Sequence, residues 1–463
     1  MMNKKPFPAL YDQIINLLEP YQAYLVGGAV RDMLLGKSIH DLDFTLPEDT
    51  IPAARMVADK LGGAFFILDP ERETARVILK DEHSQRMMVD FTRFQGKDIK
   101  DDLASRDFTI TSMALRTGSN RKVIDPFHGA QDLKDGLLRT TTGQALADDP
   151  LRCLRAVRLA VQFGLRILPE TKDQIRQYAK GMAGISPERI RDELFRILDG
   201  PKQAAAIQSL EILGLSPYLF LGEVTDRQIL QLRFLEDLWD LFLKKHDQDS
   251  AANWSLGLLV HRLGRYRTDL QSYLKFEQVL ERTIYQHSFL ALLLKYRLEE
   301  NKINDFRLNL PLSNQEWDLL YRSTGAAEMI LQYFKAVDSP QPLDIYRYYR
   351  QYKSAGILGV FLALAVKSSE CRNSSDQEGW GRILDICRSF LEGWWEKKHQ
   401  WVYPPILFDG NDIQTEFSIS PGPQIGTLLE SLREAQVERG ISSREQAKQF
   451  LRDLLEDANE ITE

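Results

Sequence analysis

The stretch Ala23-Tyr24-Leu25-Val26-Gly27-Gly28-Ala29-Val30-Arg31-Asp32, followed by Asp41-Leu42-Asp43-Phe44-Thr45-Leu46, decides the reading of the first third of the chain. Ala23–Val26 is apolar and β-prone and stops at two glycines. Ala29–Leu35 has helical character, and Gly36 suits its C-terminal end. From Ile39 to Leu46 the residues alternate. Leu42, Phe44 and Leu46 take one face; Asp41, Asp43 and Thr45 take the other, as on a half-buried strand. Strand, Gly-Gly turn, helix, strand is the opening of a mixed α/β layer.

Working outward, Pro52–Leu61 reads as a helix, and Ala64–Leu68, Thr74–Leu79 and Met87–Phe94 read as further strands. After about residue 145 strand signals fade and helical periodicity runs to the C-terminus. The expected fold is therefore α+β, with a mixed-sheet head over 1–145, a helical segment over 146–205 and a helical remainder over 206–463. A chain of 463 residues exceeds one ordinary core. Its three cysteines have no metal-type spacing and fit a reducing compartment. The first residues carry no apolar leader and no run reaches membrane-spanning length, so a cytoplasmic location without membrane contact is expected. A net charge of −7 argues against non-specific coating of nucleic acid, while leaving room for a local basic groove.

Asp41 and Asp43 are two apart on the predicted strand and share a face. Two carboxylates so close repel unless a cation sits between them, and oxygen ligands of this kind suit Mg²⁺. Two-metal sites of this sort serve phosphoryl and nucleotidyl transfer. Taken alone, Asp-x-Asp fits an exposed strand face at a turn equally well. Gly27-Gly28 lets a phosphate approach the backbone at a helix N-terminus, and Arg31 adds positive charge; alone, the two glycines also fit a plain tight turn. Asp90, in Val89-Asp90-Phe91, is a candidate third carboxylate on a later strand, or a strand-face residue.

The string Leu25–Asp32 with Asp41-Leu42-Asp43 resembles the first motif of the class II tRNA nucleotidyltransferase and bacterial poly(A) polymerase family, whose heads are DNA polymerase β-like. The order continues. Arg106-Asp107-Phe108-Thr109-Ile110 resembles the second motif; Asp125-Pro126, Gly129 and Asp132-Leu133 the third; Asp148-Asp149-Pro150-Leu151-Arg152 the fourth; Ser186-Pro187-Glu188-Arg189-Ile190 the fifth. The resemblance spans roughly residues 20–200. It implies Mg²⁺ on Asp41 and Asp43, and help from Asp90 in holding the metal or activating the hydroxyl. It implies nucleotide phosphates at Gly27, Gly28 and Arg31, a nucleotide contact from Arg106, and base reading of CTP or ATP by Asp149 and Arg152. Arg155 and Arg158 lie nearby, with phosphate neutralisation as their expected work. The fourth motif departs from the family's Glu-Asp, and Ser105 stands where a second arginine is common. Asp149 before Pro150 also fits an N-cap, and Arg152, Arg155 and Arg158 drift by about 60° per step, a stripe too winding to face one spot.

The resemblance further implies that residues 206–463 form a helical body and tail that bind tRNA. Two stretches mix aromatic and basic residues, His261–Arg267 and Tyr346–Arg350, and suit either RNA contact or amphipathic helices. Leu407–Asp412 and Pro421–Val437 resemble the family's tail. The expected reaction adds CCA, or part of it, to the tRNA 3′ end. Enzymes adding only CC or only A, a poly(A) polymerase, and a non-catalytic RNA-binding relative are the alternatives. Members differ in a segment between the first two motifs; here it includes Leu68–Thr74, whose presence argues against CC-only addition.

Overall fold

Helix α1 (Leu10–Leu17) leads into β1 (Tyr24–Val26), α2 (Gly28–Leu34) and β2 (Leu42–Leu46), of which the last three come in the order expected from the sequence. The computed structural model describes residues 7, 10–39, 41–80, 86–117, 122–243, 254–279, 282–298, 307, 309–336, 339–371 and 376–460. Asp41 precedes β2 rather than lying inside it. Helix α3 (Thr50–Leu61) is followed by β3 (Ala64–Asp69), β4 (Thr74–Lys80) and β5 (Arg86–Arg93). With β6 (Ala114–Arg116) and β7 (Val123–Ile124) they form a seven-stranded sheet in the order β3-β4-β5-β2-β1-β6-β7. β2 and β5 are parallel, and the other neighbours are antiparallel.

Alternation sorts the sheet's two faces. Leu42, Phe44, Val77, Val89 and Phe91 are fully buried and pack with Ala53, Ala54, Val57 and Ala58 of α3 in one core. The other face carries a register row of Asp43, Asp90 and Arg76 across β2, β5 and β4, continued by Phe66 on β3. The turn between β3 and β4 is tight: Asp69 Oδ1 accepts from the amides of Glu71 and Arg72, both at 3.0 Å. The segment expected to vary among relatives is thus a short hairpin here.

The second motif follows α4 (Ile99–Ala104) in a 3-10 turn at Thr109–Thr111, and α5 (Gly129–Lys134) packs against it. A Cβ on Gly129 would stand 2.0 Å from the Thr109 carbonyl oxygen, so only glycine permits this approach. Asp125 caps α5 from outside, accepting from Gly129 N at 2.7 Å and Ala130 N at 3.0 Å. Asp132 accepts from Thr109 Oγ1 at 2.7 Å. The third motif is therefore the brace of the second. Next come α6 (Ala145–Asp148), α7 (Arg152–Phe163), α8 (Pro169–Tyr178) and α9 (Pro187–Asp199). Beyond residue 145 the described strands are Arg166–Ile167, paired with Leu137–Leu138, and the hairpin Glu277–Val279 with Arg282–Thr283.

The chain divides into two compact units. One runs to Lys202 and includes Gln208–Gly222; the other comprises Gln203–Ile207 and everything from Glu223. Apart from the hairpin Glu277–Val279 with Arg282–Thr283, the described part of the second unit is helical, its longest described helix being Asn314–Lys335, which opens with a capping box between Ser313 and Glu316. Its last three helices, Gly410–Phe417, Pro423–Arg439 and Arg444–Glu460, bury Phe408, Ile413, Leu432 and Leu451 in a cluster of their own. No helix among the described residues is long and apolar enough to cross a membrane.

Both aromatic and basic stretches are structural. Tyr346, Tyr348 and Tyr349 are buried; the Tyr348 hydroxyl donates to Gly356 O at 2.7 Å and the Tyr349 hydroxyl to Phe390 O at 2.9 Å. Arg347 forks onto Glu434 at 2.7 and 2.8 Å, and Arg350 meets Glu430 at 2.5 Å. Tyr266 is buried with its hydroxyl on Glu396 at 2.6 Å, while Arg262 pairs with Asp385 at 3.1 Å. Of the two readings left open for these stretches, the amphipathic one fits: core packing and hydrogen bonds already occupy these tyrosines.

Candidate active site

The Gly27-Gly28 turn brings the backbone against the carboxylate. Gly27 has φ +69°, and a Cβ there would lie 3.4 Å from Arg106 Nη1 and 3.6 Å from Asp43 Oδ2. Glycine serves both demands: left-handed backbone and no side chain between the turn, the carboxylate and the arginine. Asp43 is an exposed residue, yet protein atoms crowd its carboxyl. Its carboxyl is pushed up to about 6, by burial first and then by the charge of Asp90, with Arg106 pulling in the opposite direction. Asp90 accepts from Arg76 at both oxygens, each at 2.8 Å. As placed, Asp90 acts on Asp43 through its charge while Arg76 occupies its oxygens. Asp41 is exposed just before β2.

A cavity of about 580 Å³ lies within the first unit, lined by Gly27, Gly28, Arg31, Asp43, Arg106, Asp149, Arg152, Arg155 and Arg158. Nine of the eleven residues singled out in the sequence thus line one cavity; Asp41 and Asp90 are not part of its lining. Arg31 is buried, forked onto Asp32 at 2.9 and 3.0 Å and laid over the Phe163 ring at 4.0 Å. Burial holds its pKa below the usual arginine value against the raising effect of Asp32. Arg106 is steadied by Asp102 Oδ2 at 2.9 Å.

The three arginines of α7 do share one cavity, contrary to the winding-stripe expectation. Each guanidinium is long enough to reach a separate anchor along the wall. Arg152 donates to Ala145 O and Ser105 O, both at 2.9 Å. Arg155 donates to Asp107 Oδ2 at 2.7 Å, and Arg158 to Glu193 Oε1 at 2.6 Å. Burial opposes ionisation of Asp107, but Arg155 and the Thr111 hydroxyl outweigh it and hold the carboxyl below its usual range. Asp149 Oδ1 accepts from Leu151 N at 3.2 Å, a local cap, although α7 itself begins only at Arg152. Its other oxygen accepts from Arg189 Nη2 at 2.7 Å.

Arg189, Asp107 and Glu193 line the same cavity and were not among the residues singled out. The first two sit inside quoted motif strings, which was the available signal. Glu193 carried none; it lies one helical turn after Arg189 on α9, and its burial is visible only in three dimensions.

The donor set can be tested for a metal. Among the described residues no three His, Cys, Asp or Glu side chains gather closely enough to hold an ion unaided. Two carboxylates on one face, one with its charge crowded by Asp90, fit a hard cation that keeps waters and completes its shell from substrate phosphates. Asp41 and Asp43 are the residues that would hold it.

Residues 23–139 match the poly A polymerase head domain family, and residues 164–225 match the family described as a probable RNA and SrmB-binding site of polymerase A. An A-adding tRNA nucleotidyltransferase of Deinococcus radiodurans is 30% identical over 93% of this chain and 95% of its own length. A CC-adding tRNA nucleotidyltransferase of Geobacter sulfurreducens is 30% identical over 93% of this chain and 91% of its own. The fold is shared with a CCA-adding enzyme solved in complex with ATP, at a TM-score of 0.69 and 20% identity over 96% of this chain and 95% of that one. With a polymerase-type head and two relatives that match it along most of its length, this chain belongs to the tRNA nucleotidyltransferase and poly(A) polymerase family.

Proposed function

We propose that the chain rebuilds all or part of the CCA end of tRNA from CTP and ATP. The observation that carries this reading is one cavity that joins the Gly27-Gly28 turn and Asp43 to Asp149 and Arg152. Its lining holds seven arginines against five carboxylates, an excess of positive charge in a chain of net charge −7, as a triphosphate requires. Asp149 can accept from an exocyclic amine and Arg152 can donate to the ring nitrogen beside it, a pairing that cytosine and adenine offer where uracil and guanine have a carbonyl beside a ring N–H. The Gly27-Gly28 turn and Arg31 lie where phosphates would approach backbone amides and positive charge together.

In the reaction, the RNA 3′-hydroxyl gives up its proton to solvent, its oxygen bonds to the α-phosphorus, the bond from that phosphorus to the bridging oxygen breaks, and pyrophosphate leaves. Mg²⁺ held by Asp41 and Asp43 would supply Lewis-acid stabilisation of both oxygens. Arg106, fixed by Asp102, and Arg158, fixed by Glu193, hold positive charge at the cavity wall. Asp90 stands as a positioning residue, steadied by Arg76 and setting the charge around Asp43.

A second reading is addition of CC alone or A alone. It is favoured by two relatives that match most of this chain, one an A-adding and the other a CC-adding enzyme. One experiment separates the readings. Purified protein is incubated with Mg²⁺ and labelled CTP or ATP on tRNAs ending before CCA, after CC, or intact. Three additions to the first substrate support full CCA synthesis; two Cs alone, or A alone on the second, support the partial enzymes. Long A tails on intact tRNA would indicate poly(A) synthesis, and no incorporation on any substrate would refute the activity.

A further inference from the structure

The carboxylate-bearing face of the head sheet continues past Asp90 onto β4 and β3. Beside the row that ends in Phe66 lies a second, Met88 on β5 paired with Ile78 on β4. Asp41, immediately before the Leu42 that pairs with Val89, stands at the Met88 end of that row. Phe66 is 49% exposed and Met88 38%. The next cross-strand pair on this face is Lys80 with Arg86, both exposed. Single exposed apolar side chains are ordinary. Here Phe66, Ile78 and Met88 are neighbours by register and form a strip that begins beside the carboxylates and is bordered by two cations. At about 4.8 Å between strands, Phe66 at the far end of the strip lies three strands, roughly 14 Å, from Asp43, with Asp90 and Arg76 between them in the register row.

The cavity contains Asp43 but none of Phe66, Ile78 or Met88. An in-line displacement needs its nucleophile opposite the leaving group. With a nucleotide in the cavity, the hydroxyl must therefore reach Asp43 from outside it, and the strip is the surface that meets Asp41 and Asp90 there. Apolar faces that stack bases, flanked by Lys and Arg for the backbone, are what single-stranded RNA requires. We propose that this strip seats the last nucleotides of the RNA substrate, with bases against Phe66, Ile78 and Met88 and phosphates toward Lys80 and Arg86. The inference rests on the RNA-tailing reading above.

The test measures RNA binding apart from activity. Phe66→Ala and Met88→Ala, both at exposed positions, are titrated by fluorescence anisotropy with tRNA lacking CCA, in the absence of nucleotide and metal. Each is expected to bind about five- to tenfold more weakly, the lower range for losing one base-stacking contact, with the KM for CTP unchanged. Crosslinking of tRNA carrying a 3′-terminal 4-thiouridine should label peptides from 64–69 or 86–93. Wild-type affinity in both variants, or crosslinks confined to cavity residues, would overturn the proposal. So would a change of solution mass with RNA binding intact, which would make β3 an edge for pairing two copies of the chain. Incorporation by the wild-type protein is scored separately. Its absence, with the variants still weakened, would remove the activity and keep the strip; incorporation with unaltered variants would do the reverse.

Discussion

Two sets of arginine–carboxylate pairs in this molecule have nearly the same lengths and very different settings. In the head unit Arg155–Asp107 and Arg158–Glu193 close at 2.7 and 2.6 Å, onto acids whose side chains are 6% and 2% exposed. In the helical unit Arg347–Glu434 and Arg350–Glu430 close at 2.7 and 2.5 Å, onto acids 29% and 26% exposed. Distance does not distinguish them; solvent does. A buried acid that loses its partner is stranded, whereas an exposed one is taken up by water. The head pairs therefore hold arginines rigidly at a cavity wall, and the helical pairs fasten one helix to another.

The sharpest contrast is at Asp43, which makes no ion pair among the described residues and feels Arg106 only through its charge. Asp43→Asn is expected to lower nucleotide incorporation by more than about 100-fold, beyond what loss of an outer partner of a metal site costs. It should also change stability in metal-free buffer, with a definite sign. The folded carboxyl is raised to about 6 from about 3.8, so between those values the folded state binds more protons than the unfolded one. Stability contributed at this site is present at low pH and falls as pH rises through that window. Melting temperatures of wild type and variant, measured against pH in EDTA, should converge near the acid end and favour the variant above about 6. Parallel profiles would show that Asp43 is not strained.

Next in size is Glu193→Ala. It leaves Arg158 without its carboxylate partner, and breaking such a largely buried pair costs about 3 kcal/mol, readable by urea unfolding. Transfer should fall as well, because Arg158 lines the cavity. Near-wild-type stability would mean that the pair adds no more than a surface contact.

How much of this was legible in the sequence follows from the range over which each signal acts. Leu42, Phe44 and Leu46 against Asp43 and Thr45 declared a strand face locally, and Gly27-Gly28 declared a turn, so the mixed-sheet head could be read directly. That Asp43 faces Asp90 depends on the parallel pairing of β2 with β5, which no local pattern encodes. Helical phase was misleading for Arg152, Arg155 and Arg158. It fixes where Cα atoms point, but partners 35 and 48 residues away decide where two of the guanidinium groups go. Tyr346–Arg350 could be read two ways. Aromatic and basic residues interleave in RNA-binding surfaces and in amphipathic helices alike, and only the packing of Tyr348 and Tyr349 against Phe390 and Trp394 separates the two.

The smallest effect expected is at Arg347, and it tests the comparison from its weak side. Arg347→Ala removes a forked pair of good geometry from a position where both partners meet water. Such pairs contribute under about 1 kcal/mol, because hydration of the freed carboxylate offsets most of the lost attraction. Urea unfolding should register that small loss, and raising the salt concentration should shrink it further as screening weakens the wild-type pair. A loss near that of Glu193→Ala would show that the Arg347–Glu434 contact is shielded from solvent, and the distinction between the two units would fail. A drop in tRNA affinity without a drop in stability would return Arg347 to the RNA-contacting role that its neighbourhood of tyrosines first suggested.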